Sequence, residues 1–216
     1  MLKLRTDIPV TDFMEALEED WENVLWPNKV INIVLISGKA GVGKTTLALA
    51  LYEYLKTKSP LVVGESFATG VKLIAKECFH WNGAKDKKGR KLLQDIGNLG
   101  REVDLNFWAG ELMDRVFSST GDLPPDFIII DDWRFPNEAH YFVRFPEEFK
   151  VIRIKIKAPE RESLKGSKEY FDISETSLDN YQDFEIELEN NLDTSFGEFT
   201  SKGVETIKNY LGIKEE

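Results

Sequence analysis

Residues 30–46 read VINIVLISGKAGVGKTT, and the change of character at Ser37 decides how the rest of the chain is read. The first half is an apolar run of strand length and too short for a buried helix. The second half bares its backbone at Gly38, Gly41 and Gly43, then adds Lys44, Thr45 and Thr46. From Gly38 to Thr45 the order matches G-x-x-x-x-G-K-[ST], a loop that cradles phosphates. Glycines let the chain turn tightly and bring successive N–H groups up to oxygen atoms. Residues 44–57 then read as a helix packed on several sides, with its positive end aimed at the same place. The expectation is that Gly38, Lys39, Ala40, Gly41, Val42, Gly43, Lys44, Thr45 and Thr46 hold the triphosphate of ATP. Lys44 is the mobile charge for the β- and γ-phosphates, and Thr45 is the hydroxyl for Mg²⁺.

Outward from that loop, apolar runs alternate with helical patterns. Strands are expected at 30–36, 61–63, 127–130, 150–157 and 184–190. Helices are expected at 10–22, 44–57, 67–79, 92–117 (interrupted near Gly97 and Gly100), 136–145 and 197–211. Residues 82–91, NGAKDKKGRK, read as a solvated loop. Alternation of this kind predicts an α/β fold with a mostly parallel central sheet flanked by helices. With the glycine loop it is the phosphate-loop NTPase class. One domain spans 1–216, with an N-terminal extension at 1–28 and a mobile lid insertion at 158–172.

Composition narrows the partners. The 216 residues carry a formal charge of −10, which excludes broad nucleic-acid binding because phosphate contacts need a basic footprint. Small-molecule nucleotides remain open, since positive groups can converge locally. There is no apolar run long enough to span a membrane and no signal-peptide pattern, so a cytoplasmic protein is expected. The single cysteine, Cys78, cannot form an internal disulfide and is read as a small buried apolar residue.

Three more constellations carry chemistry. In IIIDDWRFPNEAH, residues 128–140, a strand ends in acids beside the loop. A carboxylate there can hold Mg²⁺ or orient an attacking oxygen. Adjacent residues of an extended chain point to opposite faces, so one of Asp131 and Asp132 is expected to face the site. Arg134 suits bidentate phosphate recognition, and Glu138 lies four residues on. In KGRKLLQDIGNLGREVDLNFWAGEL, residues 88–112, Arg90, Lys91 and Arg101 cluster. Gln94, Asn98 and Arg101 share a helical face if the helix survives Gly97. Such a face could read a base edge and a monophosphate. Trp108 is read as core. Arg153, Arg161, Lys165 and Lys168 surround the 158–172 stretch, where a basic lid could cover a migrating phosphoryl group.

The segments GKAGVGKTT, SFATGVK, GRKLLQDIGNLGRE, DDWRFPNEA and SETSLDNYQDFEIELENN, in this order over roughly residues 32–191, resemble deoxynucleoside monophosphate kinases of the phage type. The resemblance implies ATP- and Mg²⁺-dependent conversion of a deoxynucleoside monophosphate to its diphosphate. It implies that Lys44 and Thr45 hold ATP and metal, and that Asp132 is the box aspartate with Asp131 one place before it. Arg101 and Arg134 would meet the acceptor phosphate or the transition-state charge, and Arg161 would be the lid arginine. Catalytic roles therefore fall on Lys44, Asp132, Arg134 and Arg161. Metal contacts fall on Thr45, Asp131 and Asp132, and acceptor contacts on Gln94, Asn98, Arg101, Arg134 and Glu138. The chain departs from the family pattern at Ile173, where a histidine is common, and at Gly97-Asn98-Leu99, where Gly-Thr-Glu is common. A kinase for another small phosphorylated acceptor and a nucleotide-dependent regulatory ATPase stay open, as do monomer and homodimer. A guanine-specific switch is disfavoured, because no N-K-x-D follows the glycine loop.

Overall fold

In the computed structural model, which describes residues 29–121 and 123–214, the apolar run forms strand β1 (Ile31–Ser37). Its side chains alternate between two faces and both faces are buried. Ile31, Ile33 and Leu35 enter one core cluster, and Val34 and Ile36 enter the other. A strand covered on both sides reads as a nearly continuous apolar run for this reason. The extension at 1–28, with the helix expected at 10–22, lies outside the described residues.

Strands β2 (Val62–Glu65), β3 (Phe127–Trp133), β4 (Phe149–Lys157) and β5 (Ile186–Glu189) complete the sheet. The order is β2-β3-β1-β4-β5, and every neighbouring pair is parallel. Parallel neighbours require crossovers, and helices supply them on both faces. Helices α1 (Lys44–Lys56) and α7 (Phe196–Leu211) cover one face. Leu47, Leu51 and Leu55 of α1 recur at four-residue spacing and meet Phe199 and Ile207 over Val34, Ile129 and Ile154. Full burial of each leucine contributes about 1.5–3 kcal/mol. Helices α2 (Ala68–Phe79), α3 (Lys87–Val103), α4 (Phe107–Thr120) and α5 (Pro136–Val143) cover the other face, with Val71, Ile96, Leu112, Met113 and Phe142 pointing inward.

Helix α3 departs most from expectation. The stretch read as a loop over 82–91 is helical from Lys87 onward, because Asp86 caps it by accepting from Gly89 N at 2.7 Å. The helix also runs unbroken through Gly97 and Gly100. A Cβ on Gly100 would lie 2.7 Å from the Trp108 ring, so the glycine lets two helices close on each other. Trp108 is buried and its Nε1 donates to Gly97 O at 2.9 Å. Glycine in a helix costs about 1 kcal/mol, and burying a tryptophan with its N–H satisfied offsets that. The break falls at residues 104–106 instead.

Cys78 is exposed, contrary to its reading as a buried apolar residue. The last turn of α2 runs past the layer that covers it, and every residue from Lys76 to Phe79 is exposed. Residues 158–172 form turns ending in a 3₁₀ helix (Lys168–Phe171), and a one-turn helix α6 (Ile173–Thr176) follows. Among the described residues, no helix is long and apolar enough to cross a membrane.

Candidate functional site

The register of β3 against β1 shifts at its end. Leu35 pairs with Ile130 and Ser37 with Trp133, so Asp131 and Asp132 together oppose Ile36. This is a β-bulge, which bends a strand and re-aims its side chains. Strict alternation would send the two carboxylates to opposite faces, and the bulge corrects that expectation. Both line one cavity of about 460 Å³. They have different partners within it. Asp131 Oδ2 accepts from Thr45 Oγ1 at 2.6 Å. Asp132 accepts from Ser66 Oγ at 2.6 Å and from the N–H groups of Phe67 and Ala68, both at 2.9 Å. It therefore anchors the start of α2. Burial pushes the Asp131 carboxyl up, the Thr45 bond opposes this, and the neighbouring Asp132 charge adds to the rise.

The glycine loop lies between β1 and α1. Gly41 has φ 90°, and a Cβ there would lie 2.6 Å from Arg161 O, so the loop is pressed against the 158–172 segment. Ser163 N donates to Ala40 O at 2.8 Å from the same side. Gly43 is the N-cap of α1, no side chain caps it, and the first turn carries no acid. The N–H groups at that helix start thus receive no side-chain cap from its own first turn. Val42 is buried beneath the loop, and Thr46 is exposed. Lys44 Nζ donates to Gly38 O and Lys39 O, both at 2.8 Å. Burial, followed by the Arg134 charge, pulls the Lys44 ammonium down to about 8, against the pull of Glu175, Asp132 and Asp131.

The same cavity continues to α3, where Gln94, Asn98 and Arg101 line it from one helical face. Gln94 Nε2 donates to Asp172 Oδ2 at 3.0 Å, and Arg101 Nη2 donates to Asn98 Oδ1 at 2.8 Å. The Arg101 guanidinium lies 4.2 Å from the centre of the Phe135 ring. Arg134 pairs with Glu175 and donates to Ser174 O at 3.3 Å. Glu138 is buried and accepts from the N–H groups of Arg134 (2.9 Å) and Phe135 (3.0 Å), which closes the start of α5. Burial pushes its carboxyl up to about 8, with the nearby Asp132 charge adding to the rise against the two N–H bonds. In a chain of charge −10, Lys44, Lys72, Lys85, Arg90, Arg101 and Arg134 all line this one cavity. Asp131, Asp132, Glu138, Asp172 and Glu175 line it too, so the cavity concentrates cations that an anionic ligand could meet beside acids that a cation could meet.

The remaining cations lie elsewhere. The Arg161 guanidinium donates to the carbonyls of Asn190, Asn191, Leu192 and Thr194, and it lies 4.8 Å from the centre of the Phe196 ring. Arg153 is paired with Glu185 and donates to Tyr181 Oη at 2.8 Å. Lys165 Nζ donates to Pro159 O at 3.0 Å, and Lys91 pairs with Asp95. None of these four side chains, nor Lys168, lines the cavity. Ser66, Lys72, Lys85, Phe135, Asp172 and Glu175 line the site without a role in the sequence reading. Glu175 lies in the segment SETSLDN, but its partner Ala40 is 135 residues away, and no local pattern signals that contact.

No protein-family model and no curated protein matches this sequence. Among solved structures, the chain is similar to that of APE1195, at TM-score 0.42 and 17% identity over 88% of this chain and 98% of that one. It is also similar to a chain from the PezAT chromosomal toxin–antitoxin system of Streptococcus pneumoniae, at TM-score 0.38 and 13% identity over 96% of this chain and 99% of that one.

Proposed function

We propose that the protein is a phosphate-loop kinase that transfers the γ-phosphoryl group of ATP to a deoxynucleoside monophosphate, with Mg²⁺. The observation that carries this reading is the shared cavity. It is lined at once by Lys44 and Thr45 of the glycine loop and by Gln94, Asn98 and Arg101 of α3, with Arg134 also on its wall. The sheet order, with the glycine loop directly after the central strand β1, supports the phosphate-loop class. The residues fit a bound triphosphate, because the loop turns through positive φ at Gly38, Gly41 and Gly43 into a helix start that has no side-chain cap. They also fit Mg²⁺. Among the described residues no cluster of three or more His, Cys, Asp or Glu could hold a metal alone. Mg²⁺ in such enzymes takes one or two protein oxygens and completes its shell with phosphates and water. Thr45 and Asp131 are the pair that would supply those oxygens.

Bound Mg²⁺ would neutralise charge on the β- and γ-phosphates. The chain's own work is positioning. Lys44 would hold the donor's phosphate tail, Arg134 would sit over the group in transit, and Arg101 would fix the acceptor's phosphate. Gln94 and Asn98 would meet its base, and Asp132 would hold α2 against the metal-side strand. Orientation and electrostatic complementarity account for most of the acceleration in phosphoryl transfer. The monophosphate oxygen is itself a nucleophile, so no strong general base is required. The segment at 158–172 would act as the lid, and Arg161 would join the site only if its grip on the 190–194 carbonyls were released.

The test is a screen of deoxy- and ribonucleoside monophosphates with ATP and Mg²⁺. The expected result is ADP formation that depends on one or a few deoxynucleoside monophosphates. ATP hydrolysis indifferent to every monophosphate would assign the chain to the regulatory ATPases instead.

A further inference from the structure

The glycine loop already holds an anion that belongs to the chain. Glu175 Oε2 accepts from Ala40 N at 3.0 Å, and Oε1 is paired with the Arg134 guanidinium. The Glu175 side chain is only 7% exposed, and its charge is felt at Lys44. A loop N–H, a guanidinium and a nearby ammonium are the set of groups that a phosphate oxygen would seek. Resting on the proposed function, we infer that Glu175 occupies the subsite of the donor's terminal phosphate, so that a nucleoside triphosphate must displace it and a nucleoside diphosphate need not.

Two observations locate the subsite at the terminal phosphate rather than the inner ones. The start of α1 has a glycine N-cap with no side-chain cap and no acid in its first turn, which suits it to the inner phosphates. Arg134, which grips Glu175, lines the same cavity as Arg101 and Gln94 of α3, the helix that would hold the acceptor. The resident carboxylate also has a clear physical role without nucleotide. A partly buried guanidinium left unpaired is costly, and Glu175 pairs it.

The contact belongs to a longer strap. Asp172 at its start holds Gln94, and Lys39 Nζ donates to both Glu175 O and Asp179 Oδ1 at 2.6 Å. Residues 172–179 thus tie the glycine loop to α3. A terminal phosphate that takes the place of the Glu175 carboxylate frees Arg134 for the group in transit and loosens the strap over the acceptor side. Glu175 is then a specificity-determining residue that weakens triphosphate binding relative to diphosphate binding.

The experiment is calorimetric titration of wild type and Glu175→Gln with a non-hydrolysable ATP analogue and with ADP, each with Mg²⁺. The expected result is analogue binding about tenfold tighter in Glu175→Gln, the scale of one charge-assisted contact, with ADP affinity changed by less than about twofold. An equal shift for both nucleotides, no shift, or weaker analogue binding overturns the inference and leaves the proposed function standing. A wild type that binds neither nucleotide overturns both. Should the variant fail to fold, hydrogen exchange on the wild type decides. The amides of Glu175, Thr176 and Ser177, bonded to Asp172 O and Ile173 O, should exchange faster with the analogue than with ADP, and unchanged or slower exchange overturns the inference.

Discussion

Thr45 Oγ1 and Asp131 Oδ2 lie 2.6 Å apart, joining the first turn of α1 to the end of β3, while Asp132 next door turns its oxygens to the start of α2. With Mg²⁺ held by Thr45 and Asp131 as proposed, the two aspartates should fail differently. Asp131→Asn is expected to raise the Mg²⁺ concentration for half-maximal rate about 10- to 100-fold while the melting temperature holds. Asp132→Ala is expected to lower stability by about 1–2 kcal/mol, the scale of a lost helix cap. Magnesium titrations of rate and urea denaturation of both variants check this, and identical behaviour of the two would contradict it.

Lys44→Ala should lower kcat by about 10²–10³-fold, the loss typical of one group aimed at transition-state charge. Its fold should persist. The buried ammonium has its pKa depressed to about 8, so below that pH its charge is a cost to the folded protein, and removing it leaves the melting temperature equal or higher. Steady-state rates beside thermal melts at pH 7 provide the comparison, and near-normal turnover would remove the donor site from this loop.

Arg101 stacks on Phe135 and donates to Asn98 in the part of the cavity formed by α3. Arg101→Ala is expected to raise the acceptor KM about tenfold or more, as for a lost charge-assisted contact, with ATP affinity unchanged. Should ATP binding fall instead, the donor and acceptor ends of the cavity are exchanged.

Glu138 supplies a pH dependence with a definite sign. Its folded-state pKa is raised from 4.5 to about 8, chiefly by burial. The native state therefore keeps a proton that the unfolded chain releases above about 4.5. The associated stability is full below that pH and is lost as pH rises toward 8. Glu138→Gln, which stays neutral, should gain on wild type in melting temperature from pH 5 to pH 8. A constant offset between the two across that range would show that Glu138 does not titrate there.

Gly100→Ala is expected to destabilise the protein by about 1–3 kcal/mol despite alanine's better helix propensity, because the added Cβ would lie 2.7 Å from the Trp108 ring. Urea denaturation measures the change, and a stabilised variant would mean that α3 and α4 can separate at little cost.

Much of the architecture was legible because its signals are local. The run at β1, the spacing of Leu47, Leu51 and Leu55, and the turn chemistry of the glycine loop each depend on near neighbours. Helix α3 is not legible at Gly100 because the group that accounts for it, the Trp108 ring, belongs to the next helix, and the Gly97 carbonyl is bonded from that same ring. Its start was misread because lysines and a glycine disguised the Asp86 cap. The paired aspartates were visible, but their common cavity was not, since a bulge is a property of two strands. Glu175 was least legible, as its contact with Ala40 depends on how the chain after β4 returns over the loop.

That bulge at the end of β3 has a consequence for how the molecule can vary. One surplus residue lets consecutive acids serve separate clients, one the hydroxyl at Thr45 and the other the amides that open α2. A shortening of the strand by a single position would restore even pleating and turn one acid out of the cavity. The length of the chain between Ile130 and Trp133 is the quantity that this architecture holds fixed.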